Sequence, residues 1–291
     1  MRSSGIIACV FDFDETLGPD STSRLLESAG VDTHKFWTED VKALIDAGYD
    51  PALAWLRLLL ELCGEGRPLG RLDNHGLSEF GRKTLDASLF PGVLELLADL
   101  RKDVSDYADT SIEFYIVSGG LRDLILGSEA ISREFTGVYA SELAEDSDGV
   151  LKFVKRCVTF TEKTRYLFEI NKGIRPADSL KNPFLVNKAV ESSDRRIPFT
   201  NLIYVGDGLT DIPCFSLVNR FGGMSFGVFD PTEQSKAKRA LNDLLKPGRV
   251  VSMHSARYGP KDDLGAMLRA AVNNVCVRIQ LERQEPYSAR S

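Results

Sequence analysis

Between Ala8 and Gly18 the chain reads ACVFDFDETLG. It opens as an apolar run of the kind that fills a core strand, then ends in two carboxylates, Asp12 and Asp14, spaced two apart. Side chains alternate along a strand, so an ideal strand puts both acids on one side. Like charges ~4 Å apart repel by about 4 kcal/mol at an effective dielectric of 20. Such a pair persists when a cation binds, when one carboxyl holds a proton, or when the backbone turns to part them. A hard divalent cation with oxygen ligands, Mg2+ above all, answers the need.

Three further β-rich runs end in glycine or acid. They are IEFYIVSGG (Ile112 to Gly120), NLIYVGDG (Asn201 to Gly208) and MSFGVFD (Met224 to Asp230). Helical patterns lie before them, VLELLADLRKDV before IEFYIVSGG and KTRYLFEINKG before NLIYVGDG. Strands alternating with helices predict an α/β fold, a parallel sheet covered on both faces. Ligands of such sheets gather beyond the carboxyl ends of the strands, where the acidic and glycine-rich segments all fall. Residues 18–89 break the alternation. They carry helical periodicity and no strand, with a helix start at Asp50-Pro51 and Trp55, Leu56, Leu59, Leu60 and Cys63 at helical spacing before Gly64 and Gly66. That stripe reads as core packing rather than a ligand-contacting face. Residues 1–17 and 90–291 thus make the sheet core, and 18–89 a helical insertion. GVYASEL and VLKFVKRCVTF, around AEDSDG, predict a strand pair. Residues 173–200, with Pro176, Pro183 and Pro198, read as a long irregular loop. Past Asp230 we expect a helix, then an extended run GRVVSMHSARYG, a helix near Asp263 to Leu281, and a frayed end.

A net charge of -6 and an acidic pI argue against a nucleic-acid partner. Cys9, Cys63, Cys157, Cys214 and Cys276 are scattered without a CxxC pair, so neither a zinc knuckle nor a disulfide framework is indicated, and a reducing cytoplasm is the expected setting. The richest apolar patch, ALAWLRLLLELC, carries Arg57 and Glu61 and is too short to span a bilayer. An acid interrupts the first apolar run too early for a secretory leader. His34, His75 and His254 have no metal-ligand spacing, and Cys9 and Cys214 read as small core hydrophobes.

GDGLTD supplies Asp207 and Asp211 at another strand end, and four carboxylates converging there would make a metal site. VSGG offers the Ser118 hydroxyl and the unhindered backbone of Gly119 and Gly120 before a helix, a setting suited to phosphate. Lys163 opens a helix and can balance carboxylate and phosphate charge; Lys188, nearer Asp207 in sequence, is its rival but sits in loop. All the pieces, in order and each at a strand end, form a far more specific signal than any one alone.

Together they resemble the haloacid dehalogenase superfamily of phosphohydrolases: DFDET resembles its first motif, VSGG the second, Lys163 the third and GDGLTD the fourth. The resemblance spans about Ile6 to Asp230, with the insertion where that family carries a helical cap of the C1 type. FPG, VSGG and GVYASEL look most like its phosphoserine phosphatase branch. It implies a Rossmann-like core under a mobile helical cap, and Mg2+-dependent hydrolysis of a small phosphorylated metabolite. Asp12 would be the nucleophile and form an aspartyl phosphate. Asp14 would be general acid and then base, its backbone carbonyl reaching the metal. Thr16 would orient Asp14 or hold the turn beside the phosphate site. Ser118, Gly119, Gly120 and Lys163 would bind the phosphoryl group. Asp207 would complete the metal site with Asp12 and Asp14, and Asp211 would ligate through water or position Lys163. Where phosphoserine phosphatases carry a glutamate that reads the substrate's amino group, this chain has Ser21 beside Asp20, which argues against phosphoserine. A phosphotransferase or phosphomutase on the same scaffold, and a non-catalytic phosphate-binding module, are the alternative readings.

Overall fold

A computed structural model describes residues 4–230 and 241–284. The apolar run becomes β1 (Ile6–Phe11), and period-two alternation divides it between two cores. Ile7, Cys9 and Phe11 pack on one face of the sheet, Ala8 and Val10 on the other. The remaining strands are β2 (Ser111–Leu121), β3 (Gly137–Glu145), β4 (Leu151–Arg156), β5 (Leu202–Gly206), β6 (Met224–Phe229) and β7 (Ser252–Ser255). Their order in the sheet is β4-β3-β2-β1-β5-β6-β7. All neighbours are parallel except β3 and β4, the antiparallel pair expected around AEDSDG. β1 lies between β2 and β5, with Phe11 opposite Ile116 on one side and Val205 on the other. The winding reverses there, which opens a crevice beyond the strand ends where ligands of such sheets bind. This is the Rossmann-like core that the alternation predicts.

The helices follow the same division. In chain order we label α1 (Ser21–Ser28), α2 (Pro51–Glu61), α3 (Asn74–Thr84), α4 (Val93–Ser105), α5 (Arg122–Gly127), α6 (Glu162–Lys172), α7 (Ile212–Arg220) and α8 (Asp263–Gln284). Leu96, Leu97 and Leu100 of α4 and Leu268, Val272 and Ile279 of α8 fill the first core. Tyr166 and Leu167 of α6 and Phe215 and Val218 of α7 fill the second. Between α1 and α2 the chain stays helical through Thr33–Lys35, Phe36–Val41 and Lys42–Asp46, the middle stretch with π-type winding.

The insertion has a small core of its own around Leu26, Phe36, Val41 and Ala54, while Leu56, Leu59 and Leu60 pack into the first core of the sheet. Its last helix is fixed more closely still. A Cβ on Gly81 of α3 would lie 2.0 Å from the Leu124 carbonyl oxygen, and one on Gly127 only 2.1 Å from the Ser78 carbonyl oxygen. Only glycines let the α3 and α5 backbones approach so closely. Leu151 N–H also donates to Leu72 O at 2.9 Å, tying this end of the insertion to the β3–β4 hairpin.

Residues 173–200 are more ordered than a loop. They hold a helix, Pro176–Lys181, and short tight turns at Pro183–Asn187, Ser192–Asp194 and Phe199–Asn201. Lys172 Nζ donates to the Val186 and Lys188 carbonyls at 2.6 and 2.8 Å, a tie between distant positions that periodicity does not register. The helix expected just past Asp230 lies outside the described residues, as does the frayed end. Among the described residues no helix is long and apolar enough to cross a membrane.

Candidate active site

β1 ends at Phe11, yet Asp12 N–H still donates to Val205 O at 2.9 Å, so Asp12 is held against the end of β5. Its Oδ1 accepts the Phe13 N–H at 2.7 Å, and its Oδ2 meets Lys163 Nζ at 2.8 Å. Lys163, buried on the first turn of α6, reaches Asp211 Oδ1 at the same 2.8 Å. Asp211 is wholly enclosed. Tyr204 OH donates to its Oδ1 at 2.7 Å and Gly208 N–H to its Oδ2 at 3.2 Å. One lysine thus joins two buried carboxylates, and the inner one is further pinned from β5. Lys188, the rival, is an exposed residue whose carbonyl serves Lys172.

Asp14 takes another direction. Glu15 has φ 59°, a left-handed turn, and its N–H donates to Gly18 O at 2.7 Å while Leu17 N–H returns to Phe13 O at 2.8 Å. This turn parts the two acids that an ideal strand would align. Asp14 Oδ1 accepts the N–H of Ser21, the first residue of α1, at 2.7 Å. Its Oδ2 lies against Gly120, where a Cβ would come within 2.5 Å of it. The expected convergence of four carboxylates is therefore one of three: oxygens of Asp12, Asp207 and Asp211 lie within 4.8 Å of one another, and the Asp14 carboxylate stands apart.

Burial dominates the electrostatics. It pushes the Asp12 carboxyl up to about 6, although Lys163 pulls the other way. Burial, with Asp20 nearby, pushes Asp14 up to about 8. Asp207 is raised well above the carboxylate range by burial and by Asp211 and Asp12. Burial opposes the charge on Lys163, but Asp12 and Asp211 outweigh it and raise the ammonium. Lys163 is paired with Asp12 and Asp211, and the negative charge of those two adds to burial in raising Asp207. A hard divalent cation fits that donor set and would relieve it.

These groups floor a cavity of about 470 Å³. Ser118, Gly119 and Gly120 line one side of it. The Ser118 Oγ accepts the Gly120 N–H at 3.0 Å, and the Gly119 carbonyl accepts the Ser141 hydroxyl at 2.9 Å, so this strand end is braced before any ligand arrives. Thr16 corrects the sequence expectation of a place at the phosphate site. It does not line the cavity: its side chain is fully buried with an unpartnered hydroxyl, and only its backbone holds the turn, its carbonyl accepting the Tyr258 hydroxyl at 2.7 Å. Trp55 is a second correction. It packs into core as expected, against both the first core of the sheet and the insertion's own, but it also lines the cavity, with Trp37, Val41 and Ile45 from the same insertion.

Sequence reasoning missed Tyr204, Tyr258 and this apolar roof. Tyr204 left a trace: a phenol in the otherwise aliphatic strand LIYVG must carry its hydroxyl to a buried partner. Tyr258 and Trp37 left none, because their roles depend on which elements meet in space.

A family model for haloacid dehalogenase-like hydrolases matches residues 9–216. An uncharacterized protein of Borreliella burgdorferi is 33% identical over 235 residues, covering 74% of this chain and 79% of its own length. Among solved structures, a probable phosphoserine phosphatase from Vibrio cholerae superposes with a TM-score of 0.52 at 17% identity. That superposition covers 94% of this chain and 66% of the other, so the chain spans just under two thirds of that protein's length. At such identity the likeness is one of fold. The matched residues take in Asp12, Asp14, Ser118, Lys163, Asp207 and Asp211, the groups gathered at the crevice, and the chain belongs to the haloacid dehalogenase-like hydrolase family.

Proposed function

We propose that this chain hydrolyses phosphomonoesters of small metabolites through an aspartyl phosphate on Asp12, with Mg2+ as its metal. The observation that carries the reading is a division of labour between two carboxyls at one strand end. Asp12 is fastened to Lys163, whereas Asp14 is turned away from the carboxylate cluster and raised to about 8, hence protonated at neutral pH. An Asp12 oxygen attacks phosphorus as the bond to the leaving oxygen breaks, and Asp14 gives that oxygen its proton. The Asp14 carboxylate then takes a proton from water, whose oxygen attacks the same phosphorus, releasing inorganic phosphate and restoring Asp12.

Lys163 has three N–H donors, and two are spent on Asp12 and Asp211. The third can reach a phosphoryl oxygen, alongside the Ser118 hydroxyl and the Gly119 backbone. The carboxylates of Asp12 and Asp207, with the Asp14 backbone carbonyl, would hold the metal. Asp211, with both oxygens already engaged, is assigned the role of fixing Lys163. When bound, Mg2+ offsets the negative charge that otherwise keeps a carboxylate from a phosphate.

The test is phosphate release from a panel of phosphorylated metabolites, with Mg2+ and with chelator, for wild type and Asp12→Asn. We expect metal-dependent release that the variant loses by at least about 10³-fold. No release from any compound by the wild type would sink the hydrolase reading. Transfer of phosphate to an added alcohol in place of water would replace it with phosphoryl transfer.

A further inference from the structure

The cavity has two halves of opposite character. Its floor holds Asp12, Asp14 and Asp207, and Glu15 and Asp20 stand at its side; among the described residues that line it Lys163 is the one cation, and it is engaged with Asp12 and Asp211. Its roof is Trp37, Val41, Ile45 and Trp55, with Phe160 from beyond β4. The two indoles lie with ring centroids 6.2 Å apart, and Trp37 Nε1 donates to Ser23 Oγ at 2.8 Å, so its ring is held in place and its N–H is already spent. The part of a substrate that projects away from the phosphoryl group therefore meets aromatic and aliphatic carbon.

We infer that the substrate is a phosphomonoester whose alcohol half is apolar, an aryl or branched alkyl group with no second anionic group. This rests on the phosphatase reading above and narrows it. A leaving group bearing a carboxylate or second phosphate would enter a cavity rich in carboxylates with no further cation among the described residues that line it. A polyol would bury hydroxyls against Trp37, Val41, Ile45 and Trp55, and Thr22, Thr159 and Thr210 elsewhere in the lining are what it would have to reach for partners. An apolar group loses nothing on leaving water and gains contact with both indoles.

The experiment compares kcat/KM of the Mg2+-loaded enzyme for three classes of ester: phenyl and isopentyl phosphate; glycerol phosphate and glucose 6-phosphate; and phosphoserine and phosphoglycerate. We expect the first class to lead the other two by roughly 100-fold, the scale on which apolar pockets discriminate. Ile45→Arg, which places a cation in the roof at a half-open position, should narrow the gap to phosphoglycerate by about tenfold, chiefly through KM. Release led by the polyol or anionic class would overturn the inference and leave the phosphatase reading standing. No release from any class would overturn that reading first. An Ile45→Arg enzyme with an unchanged ranking would overturn the roof's part in the selection.

Discussion

The floor and the roof of this cavity are built by different means. On the floor hydrogen bonds and ion pairs hold the carboxylates of three residues: Asp12 is bonded to Phe13 and Lys163, Asp211 to Lys163, Tyr204 and Gly208, and Asp14 to Ser21. These bonds are directional, and they hang from the ends of β1, β2 and β5, whose positions the sheet register sets. Apart from Phe160, the roof comes from helices of residues 18–89, and it meets the cavity with side chains that, Trp37 excepted, make contact without direction. Strand ends thus fix where chemistry happens, and packed helices fix what shape is admitted. The floor should be intolerant of single atoms and the roof tolerant of single methyls.

Lys163 offers the hardest test of that contrast. Lys163→Met leaves two buried carboxylates facing each other with no counter-charge, a change that costs about 3–5 kcal/mol when one partner of a buried pair is removed. We expect a melting temperature roughly 10 °C lower in chelator, and turnover reduced at least about 10³-fold. Adding Asp211→Asn should recover most of the lost melting temperature and none of the turnover. Recovery of turnover would mean that Lys163 only holds the fold. A melting temperature untouched by Lys163→Met would break the account of the floor as a coupled charge network.

A smaller effect separates floor from roof directly. The methyl of Gly120→Ala would come within 2.5 Å of Asp14 Oδ2, the free end of a side chain that can swing aside. Stability should hardly change, while displacing the carboxylate by about 1 Å should reduce kcat by up to ~10²-fold. Val41→Ala removes carbon from the roof and should change kcat less than about tenfold, its cost appearing in KM. Equal kcat losses in the two variants would erase the distinction.

The same contrast explains what could be read without coordinates. Asp12, Ser118 and Asp207 follow strand-like runs, and the rule that ligands gather at strand ends is a property of the backbone, so local pattern suffices to bring them together. Lys163 was legible because a lysine on the first turn of a helix points back toward that end. The departure of Asp14 hinges on one left-handed residue, Glu15, of a type that gives no sign of such a turn. Trp55 shows the opposite limit. Helical spacing identified its stripe as buried, yet spacing cannot say that one flank of a buried stripe borders a cavity. The order in residues 173–200 was hidden for a similar reason: it rests on bonds such as those from Lys172 to the Val186 and Lys188 carbonyls.

The weakest expected effect probes the floor's charge without touching the roof. Without a metal, burial pushes the Asp12 carboxyl up to about 6 and the Asp14 carboxyl up to about 8, from 3.8 for an unburied aspartate. A carboxyl raised in the folded state keeps a proton that the unfolded chain has released. Its contribution to stability is full below the unfolded value and is lost as pH climbs through the folded one. The chelated wild type should therefore melt lower at about pH 9 than at about pH 5, by roughly 5 °C, the shift that ~2 kcal/mol brings in a chain of this size. Asp14→Asn, which has no proton to lose, should reduce that fall, leaving the part that Asp12 and Asp207 contribute. Mg2+ should reduce the remainder, since a cation beside Asp12 and Asp207 stabilises the ionised floor and so favours the folded state at high pH. A fall of the same size in Asp14→Asn would mean that Asp14 contributes none of it, and a fall that Mg2+ leaves intact would mean that the carboxylates of Asp12 and Asp207 do not hold the metal.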